Sequence, residues 1–188
     1  RPHPGSRGGD GVRLALATCL LAAAALGDEL SDRAAWQRTL AEIGALDDAA
    51  EARRRIDGLE DDLGGRDGPE AKLRRAELRL RCAVPRAAVA EKARLSVEAI
   101  GLLDEVVAAR PDDADAHYLL ARTCLALPAF FGRRSRGVEA LEALAAIARR
   151  APEGFAYPDA FGMLAGERRK DGRDEEAENQ WRLAVRDA

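Results

Sequence analysis

From Ser31 onward apolar residues return every three or four positions with polar residues between them, the period of an amphipathic helix rather than of a strand. Ser31 or Asp32 can accept the first free amides of a helix that carries Trp36, Leu40, Ile43 and Leu46 on one face. Asp47 opens a second, with Ala49, Ala50, Ile56, Leu59 and Leu63 apolar. Arg53, Arg54, Arg55, Glu60, Asp61 and Asp62 read as its solvated outer side, and Gly64-Gly65 as a left-handed stop. Gly68-Pro69 starts a third helix, with Leu73, Ala76, Leu78 and Leu80, which Pro85 is expected to end. A long helix from about Arg86 to Arg110 follows, closed by Pro111. Asp112, Asp113 and Asp115 then favour a new helix start, because acidic groups meet the positive end of its dipole. The stretch 158–185 falls into two amphipathic halves around Asp171-Gly172-Arg173. The fold class is all-α, and composition agrees: 34% of residues are charged and only 4% aromatic, a poor supply for a sheet.

A repeat emerges when the second helices are aligned. Ala99, Leu103, Val106 and Pro111 recur in the same spacing as Ala140, Leu144, Ile147 and Pro152, and again as Ala177, Trp181 and Ala184. Among the first helices, Ala-His-Tyr-Leu-Leu-Ala at 116–121 is similar to the Ala-Trp-Tyr-Asn-Leu-Gly of the tetratricopeptide repeat, a 34-residue helix-turn-helix unit; Ala-Phe-Gly-Met-Leu-Ala at 160–165 and Gly172 fit the same unit. The chain departs from that pattern at His117 and in the longer turn 128–137. The resemblance implies antiparallel helical hairpins stacked as a short right-handed superhelix, with units at 67–111, 112–152 and 153–188 and a degenerate or capping hairpin at 28–66. Trp181 is expected in the core of the last unit.

Ahead of the helices, a polar, slightly basic segment leads into the uncharged run Leu14 to Leu26 and the small residues Ala25 and Gly27. Thirteen helical residues reach roughly 20 Å, short of a bilayer. Residues 1–27 therefore read as a signal peptide, and the protein as periplasmic or secreted. The alternative is an Ala-rich buried first helix. Leu16-Ala17-Thr18-Cys19 also looks like a bacterial lipoprotein box, apart from its Thr, and would give Cys19 a lipid anchor; no stable membrane span is expected. In an exported protein Cys82 and Cys124 could bridge, but they fall at similar places in successive first helices, whose backbones usually lie too far apart, so two buried thiols are expected.

A net charge of -3 with both signs interleaved gives no field for nucleic acid. Neither His3 nor His117 stands in a set of metal ligands, and no nucleophile elbow, zincin or P-loop pattern occurs, so no catalytic residue, metal or cofactor is expected. The implied role is protein or peptide binding. On the resemblance, the groove-facing positions are Asp115, Tyr118, Arg122 and Leu125 in one unit and Asp159, Gly162, Gly166, Arg169 and Lys170 in the next, a mixture of an aromatic anchor and cations suited to an extended peptide. The turn supplies a second candidate: Phe130 and Phe131 beside Arg133, Arg134 and Arg136 either cover the end of a hairpin or form an anion or partner site. A fold-level analogy adds an accessory protein of solute transport that docks a binding protein or encloses a small ligand.

Overall fold

The computed structural model describes residues 32–151 and 155–186, with the backbone alone at 181 and 183–186. The signal-peptide and Cys19 readings lie outside the described residues, as do the side chains of Trp181 and Ala184. All regular structure among the described residues is helical. Contacts divide the chain into two compact units, residues 1–46 and 47–188, so the expected hairpin 28–66 spans the division.

In the first unit, α1 (Arg33–Gly44) starts where Asp32 accepts the amides of Ala34 and Ala35, and buries Trp36, Leu40 and Ile43. In the second unit, α2 (Ala49–Gly64) is capped by Asp48 in the same way. It ends without the left-handed residue expected at Gly64-Gly65, since Gly65 keeps right-handed geometry at φ -77°. The glycine that takes a positive φ is Gly68, at 120°, just before Pro69.

The third helix, α3 (Pro69–Leu78), does not end at Pro85. It continues through a π-helical stretch, Arg79–Ala83, and a last turn, Val84–Arg86. The reason is local: Val84 N–H reaches back five residues to Arg79 C=O. The widened turn admits Pro85, whose nitrogen has no hydrogen to give. Arg86 in turn donates from its side chain to the Cys82 carbonyl at 3.3 Å.

The remaining helices are α4 (Val89–Ala109), α5 (Ala114–Ala126), α6 (Arg134–Arg150), α7 (Asp159–Lys170) and α8 (Asp174–Arg186). Asp113 caps α5 by accepting the Ala116 amide. The turn between α7 and α8 closes with Arg173 N–H on Arg168 C=O at 2.9 Å and Gly172 N–H on Arg169 C=O at 3.0 Å, with Gly172 left-handed at φ 73°. Within the second unit, each helix from α3 to α8 packs on the one before it. Short connections make such neighbours antiparallel.

One apolar core runs through α3 to α7. Leu73, Leu103, Leu120, Leu144 and Leu164 supply its bulk, and alanines let the helices approach: Ala76, Ala99, Ala116 and Ala140 are wholly buried. Ala99, Ala140 and Ala177, aligned above on sequence alone, are each fully inaccessible, as are Leu103, Val106 and Leu144. Gly137 extends the same logic, because a Cβ there would come within 2.8 Å of Leu125 Cγ on the facing helix. The outer side of α2 is less independent than its charges suggest. Arg53, Arg54, Arg55, Asp61 and Asp62 are exposed, but Glu60 turns to the next helix and accepts from Arg79 at 2.6 Å.

Candidate functional site

Two helix faces with the same residue spacing lie side by side and leave a hollow between them. On the first half of α4 the face is Val89, Lys92, Ala93 and Ser96; on the second half of α5 it is Leu119, Arg122, Thr123 and Ala126. In each, positions i, i+3, i+4 and i+7 read apolar, cation, small, small. Small side chains in the middle of both faces cannot fill the space between the helices. A groove of about 630 Å³ results, floored by Leu80 and Val84 of the π-helical region and closed at one end by Leu127, Pro128, Phe130 and Phe131. Val89 is 85% exposed and Phe130 83%, and they stand on its lips. Arg81, Lys92 and Arg122 line it, with no Asp or Glu among the lining residues.

Arg122 is held at the rim by a cluster that the sequence placed only in part. Its guanidinium lies 5.5 Å from the Tyr118 ring centroid and donates to the Tyr118 hydroxyl at 3.4 Å. Tyr118 stacks on Tyr157 with ring centroids 4.1 Å apart and gives its own hydrogen to Asp159 at 2.7 Å. Tyr157 donates to Asp115. The two tyrosine-carboxylate bonds thus cross between α5 and the segment entering α7, and Phe155 continues the aromatic row toward the buried Phe161. Burial, and then the hydrogen bond to Asp159, push the Tyr118 hydroxyl above its ordinary value.

Of the residues expected to face a partner, Asp115, Tyr118, Arg122 and Asp159 meet in this cluster. Leu125 does not join them; it is half-buried against the core and against Gly137. Arg169 and Lys170 are exposed at the far end of α7, eleven residues and roughly 16 Å along the helix from Asp159. There Lys170 pairs with Glu167 at 2.6 Å.

The turn is likewise divided. Ala129–Phe131 forms one 3-10 turn ended by left-handed Gly132. Phe130 and Phe131 have ring centroids 4.6 Å apart, yet Phe130 leaves most of its surface in water. The three arginines make no common positive patch. Arg134 reaches Glu167 at 2.7 Å and Asp171 at 2.9 Å, and Arg136 reaches Asp104 at 2.8 Å, while Arg133 is exposed. What the turn contributes to the groove is its apolar half.

A second cavity, of about 550 Å³ between α2, the π-helical stretch and α4, has the opposite character. Its walls satisfy themselves: Arg53 pairs with Asp57 at 3.2 Å, Arg79 with Glu60 at 2.6 Å and Arg94 with Glu98 at 2.6 Å. Little charge is left there to recognise a ligand.

His117 is buried and donates from Nε2 to Pro111 C=O at 2.9 Å, tying the start of α5 to the preceding turn. Among the described residues no three His, Cys, Asp or Glu side chains converge to hold a metal, and no helix is long and apolar enough to cross a membrane. Cys82 and Cys124 are buried, and neither is in a disulfide. Burial chiefly, with Asp104 adding to it, raises the Cys124 thiol to about 11. At pH 8 only about a thousandth of it would be thiolate, against roughly a quarter for an ordinary cysteine. Native protein treated with iodoacetamide at pH 8 is therefore expected to label Cys124 more than a hundredfold slower than denatured protein, read by peptide mass mapping. Rapid labelling of the native form would mean that α5 opens easily.

The signal that could have found the groove is the matched spacing at 89, 92, 93, 96 and 119, 122, 123, 126. Nothing in the sequence pairs Tyr157 with Asp115, 42 positions away. Comparison of the chain with protein-family models, with curated proteins and with solved structures finds no match.

Proposed function

We propose that this is an exported, non-catalytic helical scaffold, its hairpins stacked as a short right-handed tetratricopeptide-like superhelix, which binds a segment of another protein. The observation that carries the reading is the apolar groove with Val89 and Phe130 exposed on its lips. Large apolar side chains held in water on either side of a hollow are unfavourable for a protein that acts alone, and they mark contact surfaces. Sequential packing of the helices and the buried alanines at 99, 140 and 177 support the stacked-hairpin form. Export rests on the uncharged run Leu14 to Leu26.

The groove also bears on the solute-transport alternative. Its volume lies within the range of small-molecule sites, but such sites enclose most of their ligand. A small molecule in the hollow would leave both lips bare, so a polypeptide is the better occupant.

Capture from an extract of the native cells tests the proposal. Wild-type protein is expected to retain a partner that the double variant Val89→Asp, Phe130→Asp loses by at least tenfold, at unchanged thermal stability. Equal capture by both forms would remove the groove from the function.

A further inference from the structure

The groove differs from the rest of the surface in its electrostatics, and that difference identifies its occupant. Elsewhere most arginines of the described residues are matched by carboxylates within or between helices, as in Arg110 with Glu70 at 3.0 Å and Arg150 with Asp112 at 2.6 Å, Arg38, Arg66, Arg133 and Arg149 being the exceptions. At the groove two unmatched cations stand beside an apolar hollow. Lys92 and Arg122 form no salt bridge among the described residues, and no acidic side chain lines the hollow. Asp159, the nearest carboxylate to Arg122 by bonding, is engaged through the Tyr118 hydroxyl and not by the guanidinium itself. An unmatched cation on each of two facing helices, flanking an apolar floor, complements a surface that is apolar in the middle and negative at its sides.

From this we infer that the groove takes a two-turn amphipathic acidic helix of another protein, with its apolar side chains in the hollow and its carboxylates on Lys92 and Arg122. The inference rests on the reading of the groove as a docking surface and adds the chemistry of the partner. Length agrees: residues 89–96 and 119–126 are eight residues each, about 10 Å from first to last, or two helical turns. Such a helix presents apolar groups at i, i+3, i+4 and i+7 to a groove. Its body would also lie over Val89 and Phe130, which a ligand confined to the hollow would leave exposed. The Tyr118–Tyr157 cluster fixes Arg122 beforehand, so that little side-chain freedom is lost on docking.

Fluorescence anisotropy with three fluorescein-labelled 14-residue peptides tests the inference. All carry Leu at helical i, i+3, i+4 spacing, and the remaining positions are Glu in one, Gln in the second and Lys in the third. The Glu peptide is expected to bind at least tenfold more tightly than the Gln peptide, and the Lys peptide most weakly. Lys92→Glu with Arg122→Glu should erase the preference for Glu, and Ala93→Leu with Ala126→Leu, which fills the hollow, should weaken the Glu peptide by tenfold or more; circular dichroism melting checks that both variants remain folded. Equal binding of the Glu and Gln peptides would overturn the acidic partner while leaving a docking groove in place. Displacement of the Glu peptide by laurate at comparable concentration would overturn it in favour of a small amphiphile. Absence of binding by all three would overturn it outright, and capture from native cells would then judge the docking surface separately.

Discussion

Replacing Leu144 by Ala is expected to lower the unfolding free energy by about 3 to 5 kcal/mol, the upper part of the range for a leucine removed from a filled core. Leu144 is fully inaccessible, lies one turn from the equally buried Ala140 and Leu141, and belongs to the cluster shared by α3 to α7. Its methyl groups contribute burial and contact on several helices at once. The hollow left behind cannot collapse easily, because the alanines around it already hold the helices close. In a chain of 188 residues this corresponds to a fall in Tm of roughly 10 °C. Urea denaturation followed by circular dichroism checks it. Val89→Ala and Phe130→Ala serve as controls and should move stability by no more than about 0.5 kcal/mol, because those side chains already face water. A loss under about 1 kcal/mol at Leu144 would say that the helices do not share a core.

The second large effect is electrostatic. Arg74 and Glu77 are both buried in α3, with side chains about 6% and 7% accessible, and their bond is 2.9 Å long. Arg74 also reaches Glu70 at 2.7 Å, nearer the surface. Arg74→Met would leave the Glu77 carboxylate at a dry site without this cation, a change expected to cost about 3 to 5 kcal/mol. The double variant Arg74→Met, Glu77→Leu should recover most of that loss, since apolar side chains of similar volume replace a buried pair at little net cost. A denaturation cycle over the two single variants and the double separates the outcomes. If Arg74→Met alone were harmless, water or another side chain would have to satisfy Glu77.

Much of the fold was legible in the sequence because close helix packing leaves a residue-level trace. Ala99, Ala140 and Ala177 could be aligned before any coordinates, since only small side chains suit the positions where helix backbones approach. Asp113 and Gly172 were legible for the same kind of reason: a cap needs an acceptor, and a left-handed turn needs a residue without a Cβ. The π-helical stretch was not. A proline in a helical pattern ordinarily ends the helix, and no periodicity announces the wider turn that lets Arg79–Arg86 continue past Pro85.

The site was legible only in pieces. Asp115, Tyr118, Arg122 and Asp159 were singled out as positions on two helices, but Tyr157 was not, and the bonds that join residues some forty positions apart arise by tertiary packing. The turn arginines illustrate the converse error. Arg134 and Arg136 look like a charge cluster in one dimension, yet each is committed to acids on a different helix, so the positive patch disappears on folding. The groove depends on what is missing, the small side chains at 93, 96, 123 and 126, and an absence on two helices thirty residues apart has no signature in either one alone.

Site-directed photo-crosslinking in the living native cell tests most directly the idea that this groove docks another protein. With benzoylphenylalanine in place of Phe130, and separately of Val89, irradiation should join the chain to the same partner protein, while the same probe at exposed Glu175 on α8 should not. Adducts of equal yield at all three positions, or none at the two lips, would contradict the account.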